Sequence, residues 1–104
     1  MSLTVRTPEQ LQAEALAQHK ARVTAAIDAH VEAQAQAMDY NGAAHLASYV
    51  ASGVPEWAAE AQAFVAWRDA VWQAALGLLA DAQASGDVPG VEDALAALPE
   101  WSDS

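Results

Sequence analysis

Large apolar residues recur at helical spacing in two long segments of the chain. The first segment places five of them on one helical face: Leu16, Val23, Ile27, Val31 and Met38. The second contains a longer apolar stripe, widened at one side by Val65 and Trp72: Trp57, Ala61, Phe64, Val71, Ala75, Leu78 and Leu79. Alternation of apolar and polar residues with β-branched enrichment is absent from the sequence. The pattern therefore predicts an all-α protein.

Capping residues define the first long helix. Thr7 suits the N-cap, Pro8 the first helical position, and Gln10 can complete a capping box. The next glycine or proline is Gly42, so we expect a helix of about 30 residues, about 45 Å long. It should end in a turn at residues 39–42, because Asn and Gly tolerate left-handed backbone geometry.

Glycine and proline divide the rest of the chain. A short helix is predicted from about Ala43 to Ala51, followed by a second long helix from about Pro55 to Ala84. After a loop, a last short helix should run from about Val91 to Ala97 and stop before Pro99. We expect Trp101 to fold back onto the body of the protein.

Two long helices of matched length predict an antiparallel hairpin with the two short helices packed against it. Residues 1–104 should form a single helical domain, in which residues 1–6 are flexible and residues 99–104 form a tail. Alanine supplies 28 of the 104 residues. Because alanine favours helices but fills a core poorly, the core should be thin and a homo-oligomer is an expected outcome.

The chain is strongly acidic, with 14 acidic residues against 4 basic ones and a formal net charge of −10. This charge disfavours nucleic acid and anionic membrane surfaces as partners. It favours solubility or the attraction of a basic protein. The sequence contains no cysteine, so disulfides and thiolate metal sites are excluded. No apolar run reaches the roughly 18 residues that a membrane span needs.

The second long helix carries the most informative side chains. Arg68 falls inside its apolar stripe, where an unpaired charge would cost several kcal/mol. The charge should bind an anion or a carboxylate of a partner, or form an internal ion pair with an acid such as Asp28 or Asp39. A further alternative is that two packing partners share the stripe. Aromatic residues crowd the same helix, and a single facing helix cannot cover both Trp67 and Trp72. The predicted partner-binding residues are Trp57, Trp67, Arg68, Trp72 and Trp101. Alternatively, the short helices and the tail cover the aromatic rings.

The sequence predicts no enzyme, metal or cofactor site. His19, His30 and His45 lack the spacing of metal ligands. His45 and Tyr49 share a short predicted helix with serines, but nothing nearby supplies an oxyanion site or a glycine-rich loop. The turn at residues 39–42 lacks the ligand pattern of a calcium loop.

Two segments of the chain, the turn region at residues 37–49 and the helical segment at residues 60–72, resemble parts of small alanine-rich phage and prophage proteins encoded near tail-fibre genes. Residues 37–49 (AMDYNGAAHLASY) are similar to their turn and Ser-Tyr-containing short helix, although Asp39-Tyr40-Asn41 replaces a Gly-Tyr-Asp order. Residues 60–72 (EAQAFVAWRDAVW) are similar to their Trp-Arg-Asp-Ala-x-Trp helix, and the ending at residues 95–101 resembles their Leu-Pro-x-x-Trp tail more loosely.

The resemblance implies a non-enzymatic tail-associated structural or assembly protein that acts through helix-mediated contacts, with a phage tail-fibre protein as partner. It implies no catalytic residues. The acidic charge supports an alternative, a cytoplasmic regulator or antitoxin-like module that binds a basic protein. Either function places the protein in the cytoplasm of a bacterial host or in the virion.

Overall fold

The structure is a computed structural model that describes residues 7–102. It consists of four helices: α1 (Pro8–Ala37), α2 (Ala43–Ala47), α3 (Pro55–Ser85) and α4 (Val91–Ala96). The described residues contain no strand, and the predicted all-α class is confirmed. The expected flexibility of residues 1–6 concerns a segment outside the described residues.

The ends of α1 are fixed by local hydrogen bonds. The predicted capping box is present: the Gln10 amide donates to Thr7 Oγ1 at 3.2 Å, and the Thr7 amide donates to Gln10 Oε1 at 2.9 Å. At the other end the Tyr40 amide donates to the Ala35 carbonyl at 3.1 Å, and the Asp39 amide donates to the Gln36 carbonyl at 3.0 Å. This pair of bonds is a Schellman motif, which ends the helix with a left-handed residue.

The left-handed residue of this turn is Asp39, with φ of 71°, and the prediction that Asn41-Gly42 would supply it is wrong. Gly42 is extended and serves a different purpose. A Cβ at Gly42 would lie 2.5 Å from Glu32 Oε2. The absence of a side chain there lets the Glu32 carboxylate reach the start of α2, where Oε1 accepts from the Ala43 amide at 3.1 Å.

The two short helices and α3 lie close to their predicted bounds. The first short helix ends at Ala47 rather than about Ala51, because residues 48–51 continue as hydrogen-bonded turns. At the end of α3, Gly86 is left-handed with φ of 75°, and its amide donates to the Ala82 carbonyl at 2.7 Å. Glycine adopts this geometry without the steric cost that other residues incur.

The two long helices run antiparallel. The His30 ring of α1 lies 5.7 Å from the Trp67 ring of α3, and Tyr40, just beyond α1, bonds to Glu60 near the start of α3. The molecule measures 61 × 32 × 19 Å, with a radius of gyration of 17.9 Å. A compact chain of this length would have a radius of about 13 Å, so the hairpin is elongated.

The core lies between the two long helices and is closed by residues from every element. It contains Val23, Ile27, Val31, Ala35, Leu46, Ala61, Phe64, Trp67, Val71, Ala75, Ala82, Val88, Ala94 and Leu98. Trp67 is in this core, whereas Trp57, expected in the stripe, is 47% exposed. Within residues 7–102, no helix is both long and apolar enough to cross a membrane.

The predicted ion pairs of Arg68 with Asp28 or Asp39 are wrong. Its guanidinium lies 3.3 Å from the carboxylate of Asp69, the next residue, and the Arg68 side chain is 32% exposed. Because Arg68 is partly exposed, its guanidinium can reach the carboxylate of the next residue at the helix surface. The charge within the α3 stripe therefore does not require a carboxylate from α1.

Candidate protein-docking site

An open cavity of about 320 Å³ lies where the α1–α2 turn meets the start of α3. We call it the corner pocket. Its lining combines aromatic rings, a histidine, a methionine and two carboxylates: Met38, Asp39, Tyr40, His45, Tyr49, Trp57 and Glu60. The cavity is at the small end of the range typical of ligand pockets.

Three elements build the corner pocket. The Schellman turn at the end of α1 contributes Tyr40. His45 in α2 and Tyr49 just beyond it are four residues apart, and Trp57 and Glu60 of α3 are three apart. Both spacings place side chains on one helical face, so the α2 region and α3 each contribute a pair of neighbouring side chains.

Tyr49 is the centre of the ring cluster. Its ring centroid lies 5.6 Å from Tyr40, 5.3 Å from His45 and 5.6 Å from Trp57. The Asn41 amide donates to His45 Nδ1 at 3.1 Å, and His45 Nε2 lies 3.3 Å from the Tyr49 hydroxyl. The histidine is therefore held on both sides, and the exposed rings of the cluster are those of His45 and Trp57.

The carboxylates make the rim of this cluster acidic. The Tyr40 hydroxyl donates a hydrogen bond to Glu60 Oε2 at 3.0 Å. Partial burial raises the pKa of Tyr40, and its hydrogen bond to Glu60 and the negative charge of Glu60 raise it further. Asp39 lines the same cavity from the turn. The tyrosine hydroxyl thus stays protonated and fixes the orientation of the Glu60 side chain.

The basic side chains of the described residues lie away from the corner pocket. They are Lys20, Arg22 and Arg68. Arg22 is roughly 25 Å from Asp39 along α1, and Arg68 is about 12 Å from Glu60 along α3, at a rise of about 1.5 Å per residue. Arg68 is also paired with Asp69. At physiological salt a charge is screened over about 8 Å, so these bases leave the pocket carboxylates largely uncompensated.

A second, partly exposed apolar surface lies along α3, and we call it the outer stripe; one of its members, Trp72, also packs against the core. At 100° per residue four apolar residues fall within about 60° of one another: Val65, Trp72, Leu76 and Leu79. Leu76 is 63% exposed and the other three are half-buried. The segment after α2 binds the start of α3 through Gln62 Nε2, which donates to the Val50 carbonyl at 3.0 Å. The outer stripe lies beyond that contact.

The structure separates the five predicted partner-binding residues. Trp67 Nε1 donates to the Pro99 carbonyl at 3.0 Å, and the Trp101 ring crosses the Trp67 ring at 85° and 5.7 Å. The tail thus covers Trp67, as the alternative prediction held, and the expected return of Trp101 is confirmed. Trp57 lies in the corner pocket, Trp72 belongs to the outer stripe, and Arg68 lies beside it.

Six of the residues that line the pocket were not among the predicted partner-binding residues: Met38, Asp39, Tyr40, His45, Tyr49 and Glu60. The four-residue spacing of His45 and Tyr49 was a usable signal. It puts both side chains on one face of the short helix that precedes Trp57 in the sequence. The contribution of Tyr40 depends on the geometry of the turn, which the sequence pattern does not specify.

Among the described residues, no group of three or more His, Asp or Glu side chains is arranged to hold a metal ion. Comparison of the chain with known protein families, with curated proteins and with solved structures finds no match.

Proposed function

We propose that this protein acts without catalysis, by docking another protein against apolar surfaces of α3 that its own fold leaves exposed, at the corner pocket and along the outer stripe. The observation that carries the proposal is the exposure of large apolar side chains there, 47% for Trp57 and 63% for Leu76. Half-exposed tryptophans of this kind are enriched among the residues that dominate binding energy at interfaces.

The resemblance to phage and prophage proteins suggests the setting. In that setting the protein is a tail-associated structural or assembly factor, and its partner is a tail-fibre protein. The protein would act in the cytoplasm of the bacterial host or remain in the virion. Support for a helix-mediated contact comes from the outer stripe, whose spacing of seven, four and three residues suits a facing helix.

Co-expression with the tail-fibre protein of the same phage tests this function. We expect co-purification, which Trp57→Ala and Leu76→Ala each weaken by about tenfold or more, the loss typical of central apolar interface residues. Leu11→Ala is the matched control, because Leu11 is 52% exposed and lies at the far end of α1. Failure to co-purify, together with unchanged solubility of the fibre protein, would refute the tail-fibre assignment.

Self-association is the second part of the proposal. Two outer stripes facing each other would bury apolar area that the alanine-rich core does not supply. Sedimentation equilibrium should find a homo-oligomer that Leu76→Glu dissociates without loss of helix. A monomer at all accessible concentrations would exclude self-association and leave the docking of a different protein in place.

A second candidate function is an acidic regulator or antitoxin-like module bound to a basic protein. The specific observation in its favour is the pair of carboxylates, Asp39 and Glu60, in the corner pocket. The affinity of a complex of this kind should fall as the salt concentration rises from about 50 to about 500 mM. Over this range the screening length shortens from above about 10 Å to below about 5 Å. A salt-insensitive complex would favour the apolar docking mode instead.

A further inference from the structure

Aromatic walls and an acidic rim coincide in the corner pocket, and the lysine and arginine side chains of residues 7–102 lie away from it. We propose that this pocket binds the ammonium or guanidinium group of a lysine or arginine side chain presented by a partner protein. The inference rests on the proposed function for the existence of a partner, and adds the chemical group that the pocket recognises.

The ring geometry suits a cation. Tyr49 meets the Tyr40, His45 and Trp57 rings at interplanar angles of 56°, 74° and 77°. Rings at these angles meet edge to face or tilted rather than in a stack, and all four line the same cavity. The faces of aromatic rings attract cations, tryptophan most strongly, and Trp57 is 47% exposed to an incoming group.

The carboxylates provide the counter-charge. Glu60 accepts one hydrogen bond, from Tyr40, and a carboxylate offers about four acceptor positions. Glu60 therefore keeps capacity for a charge-assisted bond, which is roughly twice as strong as a neutral one. The same Tyr40 bond holds Glu60 in place before the cation arrives.

Other occupants fit the pocket less well. An anion would be repelled by both carboxylates. An apolar side chain would fill the cavity but would remove Asp39 and Glu60 from water without replacing their hydrogen bonds, which is costly. A lysine or arginine satisfies both needs, since its methylene stem packs on apolar surface while its charged head binds a carboxylate.

Titrations with side-chain mimics test the pocket without a protein partner. The probes are butylammonium and methylguanidinium, with butanol as the uncharged control, and nuclear magnetic resonance follows the Trp57 indole and the Tyr40 and Tyr49 rings. We expect saturable shifts of these signals with either cation and none with butanol. Equal effects of butanol and butylammonium would overturn the proposal, because the pocket would then be recognising the apolar stem alone.

A pair of isosteric variants separates the pocket from the overall acidity of the protein. Glu60→Gln should weaken cation binding by about five- to tenfold, the loss of one charge-assisted bond. Asp81→Asn has the same net charge and should leave the affinity within about twofold, because Asp81 lies about 30 Å further along α3. Equal weakening by both variants would mean general attraction to an acidic surface and would sink the proposal.

Trp57→Leu tests the aromatic contribution. It should lower the affinity for both cations by about three- to tenfold, the range measured for cation–π contacts, while the circular dichroism of the helices stays unchanged. An unchanged affinity would contradict a role for the exposed ring. If the mimics fail to bind but a protein still co-purifies, this inference is wrong and the proposed function survives. If the mimics bind but no protein co-purifies, the pocket recognises cations and the proposed docking function is wrong.

Discussion

The two tryptophans that lie on α3 ten residues apart, Trp57 and Trp67, have opposite surroundings. Trp67 is 8% exposed, and its indole N–H is bonded to the tail. Trp57 is 47% exposed and borders the corner pocket. One tryptophan of the helix thus stabilises the fold, whereas the other is exposed for contact with a partner. The difference depends on which of them the tail covers.

The largest predicted effect comes from removing each ring in turn. Trp67→Ala should lower the free energy of unfolding by about 3–5 kcal/mol, because it leaves a cavity and an unpaired carbonyl. Trp57→Ala should cost about 1 kcal/mol, since it loses mainly its contact with Tyr49. Urea denaturation of both variants measures the contrast. Equal destabilisation would mean that Trp57 is a structural residue, and the distinction between the two sites would disappear.

A smaller effect is expected where the chain turns toward Trp67. Gly86 begins the return of the tail and has φ of 75°. Gly86→Ala should therefore destabilise the protein by about 1–2 kcal/mol, the cost of left-handed geometry for a residue with a Cβ. Gly53→Ala is the control, because a Cβ at Gly53 meets nothing within 4 Å and its φ is not in the left-handed region. Similar melting temperatures for the two variants would contradict this explanation.

The end of the hairpin that contains the corner pocket has its own stabilising contact, between Glu32 and the start of α2. Glu32→Ala removes the acceptor for the Ala43 amide and should cost about 1 kcal/mol, the usual value of a helix cap. Asp28→Ala is matched in charge, and Asp28 is exposed on the same helix. Hydrogen exchange at residues 43–47 should rise only in the Glu32 variant. Equal exchange in both would assign the effect to charge alone.

The smallest effect concerns pH. Because the folded protein raises the pKa of Tyr40 above its ordinary value of 10.0, the unfolded chain loses this proton first as pH increases. The contribution of Tyr40 to stability is thus complete below about pH 10 and declines above it. Tyr40→Phe should flatten that alkaline decline. The variant keeps Tyr49, so the difference in phenolate absorbance between the unmodified protein and the variant gives the pKa of Tyr40. A Tyr40 pKa at or below 10.0 would contradict the hydrogen bond from its hydroxyl to Glu60.

Helix ends and helix pairing were accessible from the sequence because they depend on local chemistry. Thr7, Pro8 and Gln10 specify the start of α1, and glycine specifies the end of α3. The exposure of Trp57 and the burial of Trp67 were not accessible, because the wheel position of each residue is compatible with either outcome. What distinguishes them is the path of the tail from Pro89 to Trp101, and a one-dimensional periodicity does not encode where a loop travels.

The corner pocket was hidden for a related reason. Its side chains come from three separate elements, and their meeting depends on Asp39 adopting the left-handed conformation in the α1–α2 turn. The sequence predicted the turn but placed its left-handed residue at Asn41-Gly42. A shift of two or three residues in that position changes where Tyr40 points, although the helix that follows begins in the same place.

The elongated outline has a practical consequence for anyone weighing this protein in solution. An elongated molecule of 61 × 32 × 19 Å tumbles and diffuses more slowly than a sphere of 10.9 kDa. On a gel-filtration column a lone chain would therefore elute early, in the region expected of a globular dimer. The mass must therefore be measured by a method that does not depend on molecular shape, or a monomer will be mistaken for a dimer.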